Sequence, residues 1–76
     1  MSAVTIYVPL LDEDVEVWRP VQARPLGRDE FEILDLEPPG ESWPFQRGTR
    51  VRCRMKVFSG GERGLVAFES VEPASS

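Results

Sequence analysis

Four cations recur at every second position near the middle of the chain: Arg50, Arg52, Arg54 and Lys56. Alternate side chains of a β-strand lie on the same face of a sheet, so this spacing predicts a row of positive charge about 20 Å long. Such a row could neutralise the phosphates of RNA or DNA, or dock on an acidic protein. The alternative is that carboxylates on neighbouring strands pair with it across the sheet, for which the sequence offers Glu30, Glu32 and Glu69.

Large aromatic side chains are the second set of groups that could bind a ligand: Tyr7, Trp18, Trp43 and Phe45. They could line a groove for a peptide or form a platform on which bases stack. Large aromatics are more often core residues in so small a domain, so we expect two of the four to be buried. Trp18, whose parity is opposite to that of Val17, is the one expected to be exposed. The predicted binding residues are therefore the four cations with Trp18 and Trp43.

The residues needed for catalysis are scarce. The chain has no histidine, which is the usual base near neutral pH, and a single cysteine. The acidic run at residues 12–14 is interpreted as a solvated turn, because cation-binding loops distribute their oxygen ligands over a longer segment that contains a glycine. We therefore expect no enzymatic activity, no catalytic residues, no cofactor and no metal site.

The single cysteine, Cys53, has the parity of three apolar residues on the same predicted strand, Val51, Met55 and Val57. These four side chains are expected to face the core while the cations face solvent. A cysteine in such a position behaves as a small hydrophobic residue, so Cys53 is predicted to be buried and unreactive.

Five segments with apolar residues at a period of two must position these groups. Seven prolines and six glycines separate them. The predicted strands cover residues 4–9, residues 15–24, a third segment with Phe31 and Ile33 that could continue through Leu34 and Leu36, residues 50–57 and residues 65–71. Pro20 interrupts the second segment, which must form a sheet edge or a bulge at that point because proline cannot donate to the ladder.

Five short strands and no helical apolar stripe predict an all-β fold. Closure into a barrel would remove exposed strand edges, and a small five-stranded antiparallel SH3-like barrel is the first choice. An OB-type barrel is the alternative, weakened by the lack of a helix between the third and fourth strands. A length of 76 residues leaves room for one domain, predicted over residues 1–72, with residues 73–76 as a flexible tail.

Charge and composition restrict the partners. The net charge is −4, with three basic and ten acidic side chains in residues 1–44 and six basic and three acidic side chains in residues 45–76. Overall acidity disfavours RNA. One cysteine cannot form an internal disulfide, and no apolar stretch approaches the roughly 20 residues of a membrane helix. With no visible export signal, we expect a cytoplasmic protein without membrane contact.

Three segments carry a resemblance to known sequences: residues 7–13 (YVPLLDE), residues 17–21 (VWRPV) and Trp43-Pro44-Phe45 with the following Gly48 and residues 51–53 (VRC). Together they resemble a family of short, uncharacterised bacterial proteins. The resemblance covers most of the chain and implies a bacterial cytoplasmic protein. It brings no activity and no site residues, and likeness to SH3 domains extends to barrel architecture alone.

Two functions from different classes follow from the residues. The first is a protein-interaction module or small accessory subunit, whose partner is another protein. The second is an RNA-binding barrel that uses the face from Arg50 to Lys56. Net acidity favours the first, and the second requires that the cations be free of acidic neighbours.

Overall fold

The computed structural model describes residues 3–71 apart from residues 12, 14 and 16. Five strands follow one another along the chain: β1 (Val4–Pro9), β2 (Trp18–Gly27), β3 (Glu30–Ile33), β4 (Arg50–Val57) and β5 (Arg63–Ser70). The described residues form no helix, and hence none that could cross a membrane. The predicted all-β fold is confirmed. Asp12 and Asp14 of the predicted acidic turn lie outside the described residues, and so does the whole predicted tail, residues 73–76.

The strands form a closed barrel in the order β1-β2-β3-β4-β5. Each strand pairs antiparallel with the next, whereas β1 and β5 meet in parallel at Tyr7 and Val66. An up-and-down path with an odd number of strands leaves the first and last strands running in the same direction, so the closing contact must be parallel. The predicted small five-stranded antiparallel barrel is confirmed, with this contact as its parallel seam.

The core consists of the inward-facing residues of all five strands together with one tryptophan from the connection between β3 and β4. Cross-strand partners such as Ile6 with Val21 and Phe31 with Val51 bring these side chains into register. Burial of apolar surface is the main term that stabilises so small a domain. The buried cluster consists of Ile6, Val8, Val21, Ala23, Phe31, Ile33, Trp43, Val51, Cys53 and Ala67.

Pro20 lies where β2 pairs with β1 alone. Its partner across that ladder is Tyr7, and the pairing of β2 with β3 begins only at Ala23. The amide of Gln22 points away from β1 and donates to Asp35 Oδ2 at 2.9 Å. The nitrogen of Pro20, two residues earlier, lies on the same side, so the proline removes no ladder hydrogen bond. The expectation that Pro20 lies at an edge is confirmed.

The ends of β2, β3 and β5 differ from the sequence prediction, and β5 covers Arg63–Ser70 rather than residues 65–71. β2 begins at Trp18 rather than at residue 15, and it continues to Gly27. β3 ends at Ile33, so the proposed continuation to Leu36 is wrong, and Leu36 is 68% exposed. The amide of Leu34 still donates to Gln22 O, and the long connection over residues 34–49 begins at that point.

The apolar side of β4 also differs from the prediction. Val51 and Cys53 are buried, whereas Met55 is 60% exposed and Val57 is 61% exposed. The pairing of β3 with β4 ends at Arg52. The distal half of β4 (residues 54–57) therefore extends beyond β3 as part of a two-stranded hairpin with β5, whereas the proximal half (residues 50–53) lies beside β3. No layer of the described chain covers the apolar face of that hairpin, and the expectation that all four alternate residues are buried is wrong.

Candidate functional site

Arg52, in the proximal half of β4, lies among three carboxylates. Its Nη1 is 2.5 Å from Glu69 Oε2, its Nη2 is 3.8 Å from Glu30 Oε2 and its Nε is 3.8 Å from Asp29 Oδ2. Strand register creates this arrangement, because Glu30 on β3 and Glu69 on β5 are both the direct partners of Arg52. At this position the cation is paired across the sheet, as the alternative interpretation of the basic row required.

Arg50 is exposed, and its neighbouring carboxylate is engaged elsewhere. Glu32 is the β3 partner of Arg50, but its carboxylate forms an ion pair with Arg24 on β2. Arg50 borders an open depression of about 440 Å³, whose other lining residues are Arg24, Leu26, Glu32, Gly48, Thr49, Ser70 and Val71. This depression mixes both signs of charge and lies at the end of the barrel away from the tip of the β4–β5 hairpin.

Arg54 and Lys56, in the distal half of β4, rest on aromatic rings. The guanidinium carbon of Arg54 lies 4.9 Å from the centroid of Phe68, and Lys56 Nζ lies 5.6 Å from the centroid of Trp18. None of the salt bridges among the described residues includes either cation. Of the four cations in the predicted basic row, Arg52 is therefore the one that forms ion pairs with carboxylates of the described residues.

An aromatic cluster covers the outer face of the barrel beside Lys56. The rings of Tyr7 and Phe58 meet edge to face at 5.1 Å between centroids, and Trp18 meets Phe58 at 6.1 Å. Gly64 makes room for this cluster, since a Cβ there would lie 2.7 Å from Tyr7 Cε1 and 2.9 Å from Phe58 Cε2. Sequence reasoning did not identify Phe58, although its even position continues the parity of Arg54 and Lys56 and could have indicated it.

Trp43 lies in the core and is only 6% exposed. Its backbone amide donates to Glu37 Oε2, and its Nε1 donates to Glu41 Oε1, both at 2.9 Å. The second hydrogen bond, together with the ion pair between Glu41 and Arg19, lowers the pKa of the Glu41 carboxyl. Trp43 thus closes one end of the barrel and presents little ring surface to a ligand, whereas Trp18 is half-buried on the outer face.

Cys53 is 2% exposed, which confirms its predicted burial. Burial raises the pKa of its thiol to about 11, and the negative charge of Asp29 adds to the effect. The thiolate, which is the reactive form, is therefore suppressed near neutral pH. In the described part of the chain, no group of three or more histidine, cysteine or acidic side chains is placed to hold a metal ion.

The distal half of β4 also has an open backbone edge. The amide of Cys53 donates to Asp29 O at 2.8 Å, and the amide of Ile33 donates to Thr49 O, so the odd positions of this part of the chain direct their backbone groups toward β3. Because β3 begins opposite Arg52 and runs from there toward Arg50, the N–H and C=O groups of Met55 and Val57 reach an edge with no strand partner within the described residues. This edge, with the side chains of residues 54–57, is called the β4 edge below.

Comparison with known proteins identifies no relative. No family model, no curated protein and no solved structure matches the chain. Assignment of a role therefore rests on the geometry of the barrel, its basic and aromatic outer face and the β4 edge.

Proposed function

We propose that this protein is a non-catalytic protein-interaction module that binds its partner through the distal half of the β4–β5 hairpin. One observation carries the proposal: Met55 and Val57, on the apolar face of the hairpin, are 60% and 61% exposed beside a backbone edge that no described strand pairs with. Adjacent exposed apolar side chains are costly in water unless a partner covers them. An open strand edge adds hydrogen-bonding groups that a partner can use.

The outer face of the same hairpin supports an interaction role. Arg54 and Lys56 lie over aromatic rings and form no ion pair with a carboxylate of the described residues, and aromatic residues with arginine are common at the centres of protein interfaces. We also propose that the chain is a bacterial cytoplasmic protein with an SH3-like barrel. The resemblance of three sequence segments to short bacterial proteins supports this proposal.

RNA binding is the second candidate function. The stacked pairs of Arg54 with Phe68 and Lys56 with Trp18 favour it, because cations and aromatic rings together bind single-stranded nucleic acid. Arg52 weighs against it, since its charge is met by carboxylates, and the net charge of −4 repels phosphates at long range. A protein partner is therefore the better-supported proposal.

Site-specific photo-crosslinking tests the proposal. A photoreactive phenylalanine analogue replaces Val57 in the full chain, and the same analogue replaces Val15, an equally apolar residue that is 71% exposed on the β1–β2 connection. After irradiation in extract of the source cells, we expect a discrete protein adduct from position 57 and none from position 15. Adducts that disappear on nuclease treatment, or the same protein adducts from both positions, would refute the proposal.

A further inference from the structure

We propose that the β4 edge binds an extended segment of the partner protein as an added strand, and that this segment alternates acidic and apolar residues. The inference rests on the proposed interaction function and specifies the chemistry of the partner. Strand addition supplies affinity through main-chain hydrogen bonds and selectivity through alternate side chains.

The backbone geometry supplies the first argument. The backbone N–H and C=O groups at even positions of β4 point toward β5. The hydrogen bond from Val71 N to Arg50 O and the one from Phe58 N to Glu62 O show this direction. Met55 and Val57, at odd positions, therefore hold their N–H and C=O groups toward the free edge, in line with the ladder that β3 forms with the proximal half of β4. An added strand would continue that ladder beyond the point where β3 begins.

The side chains supply the second argument. Residues directly opposite each other on paired strands lie on the same face, with Cβ atoms about 5 Å apart. An added strand would therefore place one set of its side chains beside Arg54 and Lys56 and the other set beside Met55 and Val57. The positive charge of the first pair, which forms no ion pair within the described part of the chain, is complementary to Asp or Glu. The exposed surface of the second pair is complementary to aliphatic residues.

A second copy of this chain fits the same edge poorly. The two-fold axis of an antiparallel strand pair runs perpendicular to the sheet and keeps each side chain on its own face. Two β4 edges would therefore place Arg54 and Lys56 of one copy against those of the other. Like charges directly opposite each other are destabilising, and this selects an acidic partner over self-association.

A titration of the isotopically labelled full chain with the peptide Ser-Glu-Val-Glu-Val-Glu-Ser tests the inference by NMR at low salt. We expect chemical-shift changes along residues 54–57 and slower hydrogen exchange of the Met55 and Val57 amides, because those groups become hydrogen-bonded in the complex. The matched peptide with Lys at each Glu position should cause neither change. A uridine oligonucleotide of similar length serves as the nucleic-acid probe.

Two charge reversals on the same strand locate the binding site. Arg54→Glu and Arg50→Glu change the net charge equally, but only Arg54 lies within the β4 edge. Arg54→Glu should weaken peptide binding about tenfold, the equivalent of replacing one favourable cross-strand pair by a repulsive one. Arg50→Glu should change the affinity by less than twofold, and circular dichroism should show both variants folded.

Four outcomes would overturn the inference. They are absence of peptide binding, equal binding of the acidic and basic peptides, tighter binding of the oligonucleotide than of the acidic peptide, and peptide binding without slower exchange at Met55 and Val57. If any of these results came with a crosslink from position 57 to a protein, the proposed interaction function would still hold and strand addition alone would be wrong. Absence of that crosslink is the separate result that removes the module itself.

Discussion

Gly64 tests the aromatic cluster at the scale of single residues. A methyl group at this position would lie within 3.0 Å of both Tyr7 and Phe58, so Gly64→Ala forces packed rings apart. We expect a loss of about 1–3 kcal/mol in the free energy of unfolding, measured by denaturant titration. Gly60→Ala is the matched control, because a Cβ there meets no atom within 4 Å, and its stability should change by less than about 0.5 kcal/mol.

A double-mutant cycle distinguishes this packing from a general cost of alanine. If the Tyr7 ring is what the new methyl group meets, Gly64→Ala should cost markedly less in a Tyr7→Ala background than in the natural sequence. Additive costs of the two substitutions would show that Gly64 does not contact Tyr7.

Cys53 tests the effect of burial on the pKa of a thiol. Burial raises this pKa from 9.0 to about 11, so an unfolded chain loses the proton at lower pH than the folded one. The free energy of unfolding should therefore be unaffected by this group below pH 9 and should fall as the pH rises from 9 to 11. The measurement is the difference in pH dependence between the natural protein and Cys53→Ala, and equal slopes across that range would contradict the raised pKa.

Reactivity of the same thiol gives a second measurement. Because Cys53 is buried and protonated near neutral pH, labelling by a disulfide reagent at pH 8 should be slow in the folded protein and fast in denaturant. Rapid labelling of the folded chain would show an accessible thiolate instead.

β4 combines two different environments in one strand, and its proximal half is fixed by the carboxylates around Arg52. The Arg52→Ala substitution removes ion pairs to Glu69, Glu30 and Asp29, all of them partly exposed. Exposed ion pairs contribute little individually, so we expect a loss of about 1 kcal/mol that becomes smaller at high salt. Arg50→Ala should cost less, because no carboxylate in the described chain pairs with Arg50, and an equal cost for the two variants would refute this division.

Strand positions were largely predictable from the sequence, whereas burial along them was not. The alternation in residues 4–9 and 50–57 predicted β1 and β4 with their observed bounds. A period of two reports which side chains share a face, but it does not report whether another layer covers that face. Met55 and Val57 were therefore expected to be buried, although no layer of the described chain covers their side chains.

The candidate site was predictable in part for a similar reason. The sequence identified the cations of β4 and Trp18, but it could not show which carboxylates stand opposite them, because strand register decides that pairing. Glu69 became a partner of Arg52 through the β4–β5 register, and Glu32 was engaged by Arg24. Trp43 and Trp18 differ in burial because one belongs to the connection that closes the barrel and the other to its outer face.

At the scale of the whole molecule, Trp43 should be the side chain on which the barrel depends most. It fills one end of the core from a connection without regular structure, so Trp43→Ala leaves a large cavity and should cost about 3–5 kcal/mol. Trp18→Ala removes a half-buried ring from the outer face and should cost clearly less. Thermal unfolding followed by circular dichroism compares the two, and equal losses would contradict the placement of Trp43 in the core.

Residue-resolved hydrogen exchange of the free protein tests most directly whether the distal half of β4 has an open edge. The backbone amides of Arg54 and Lys56 point toward β5, opposite Val66 and Gly64. The backbone amides of Met55 and Val57 point toward the open edge. The structure predicts alternation along residues 54–57, with slow exchange at the even positions and fast exchange at the odd positions. Equal protection of all four amides at low protein concentration would contradict an open edge and, with it, the proposal that a partner strand binds there.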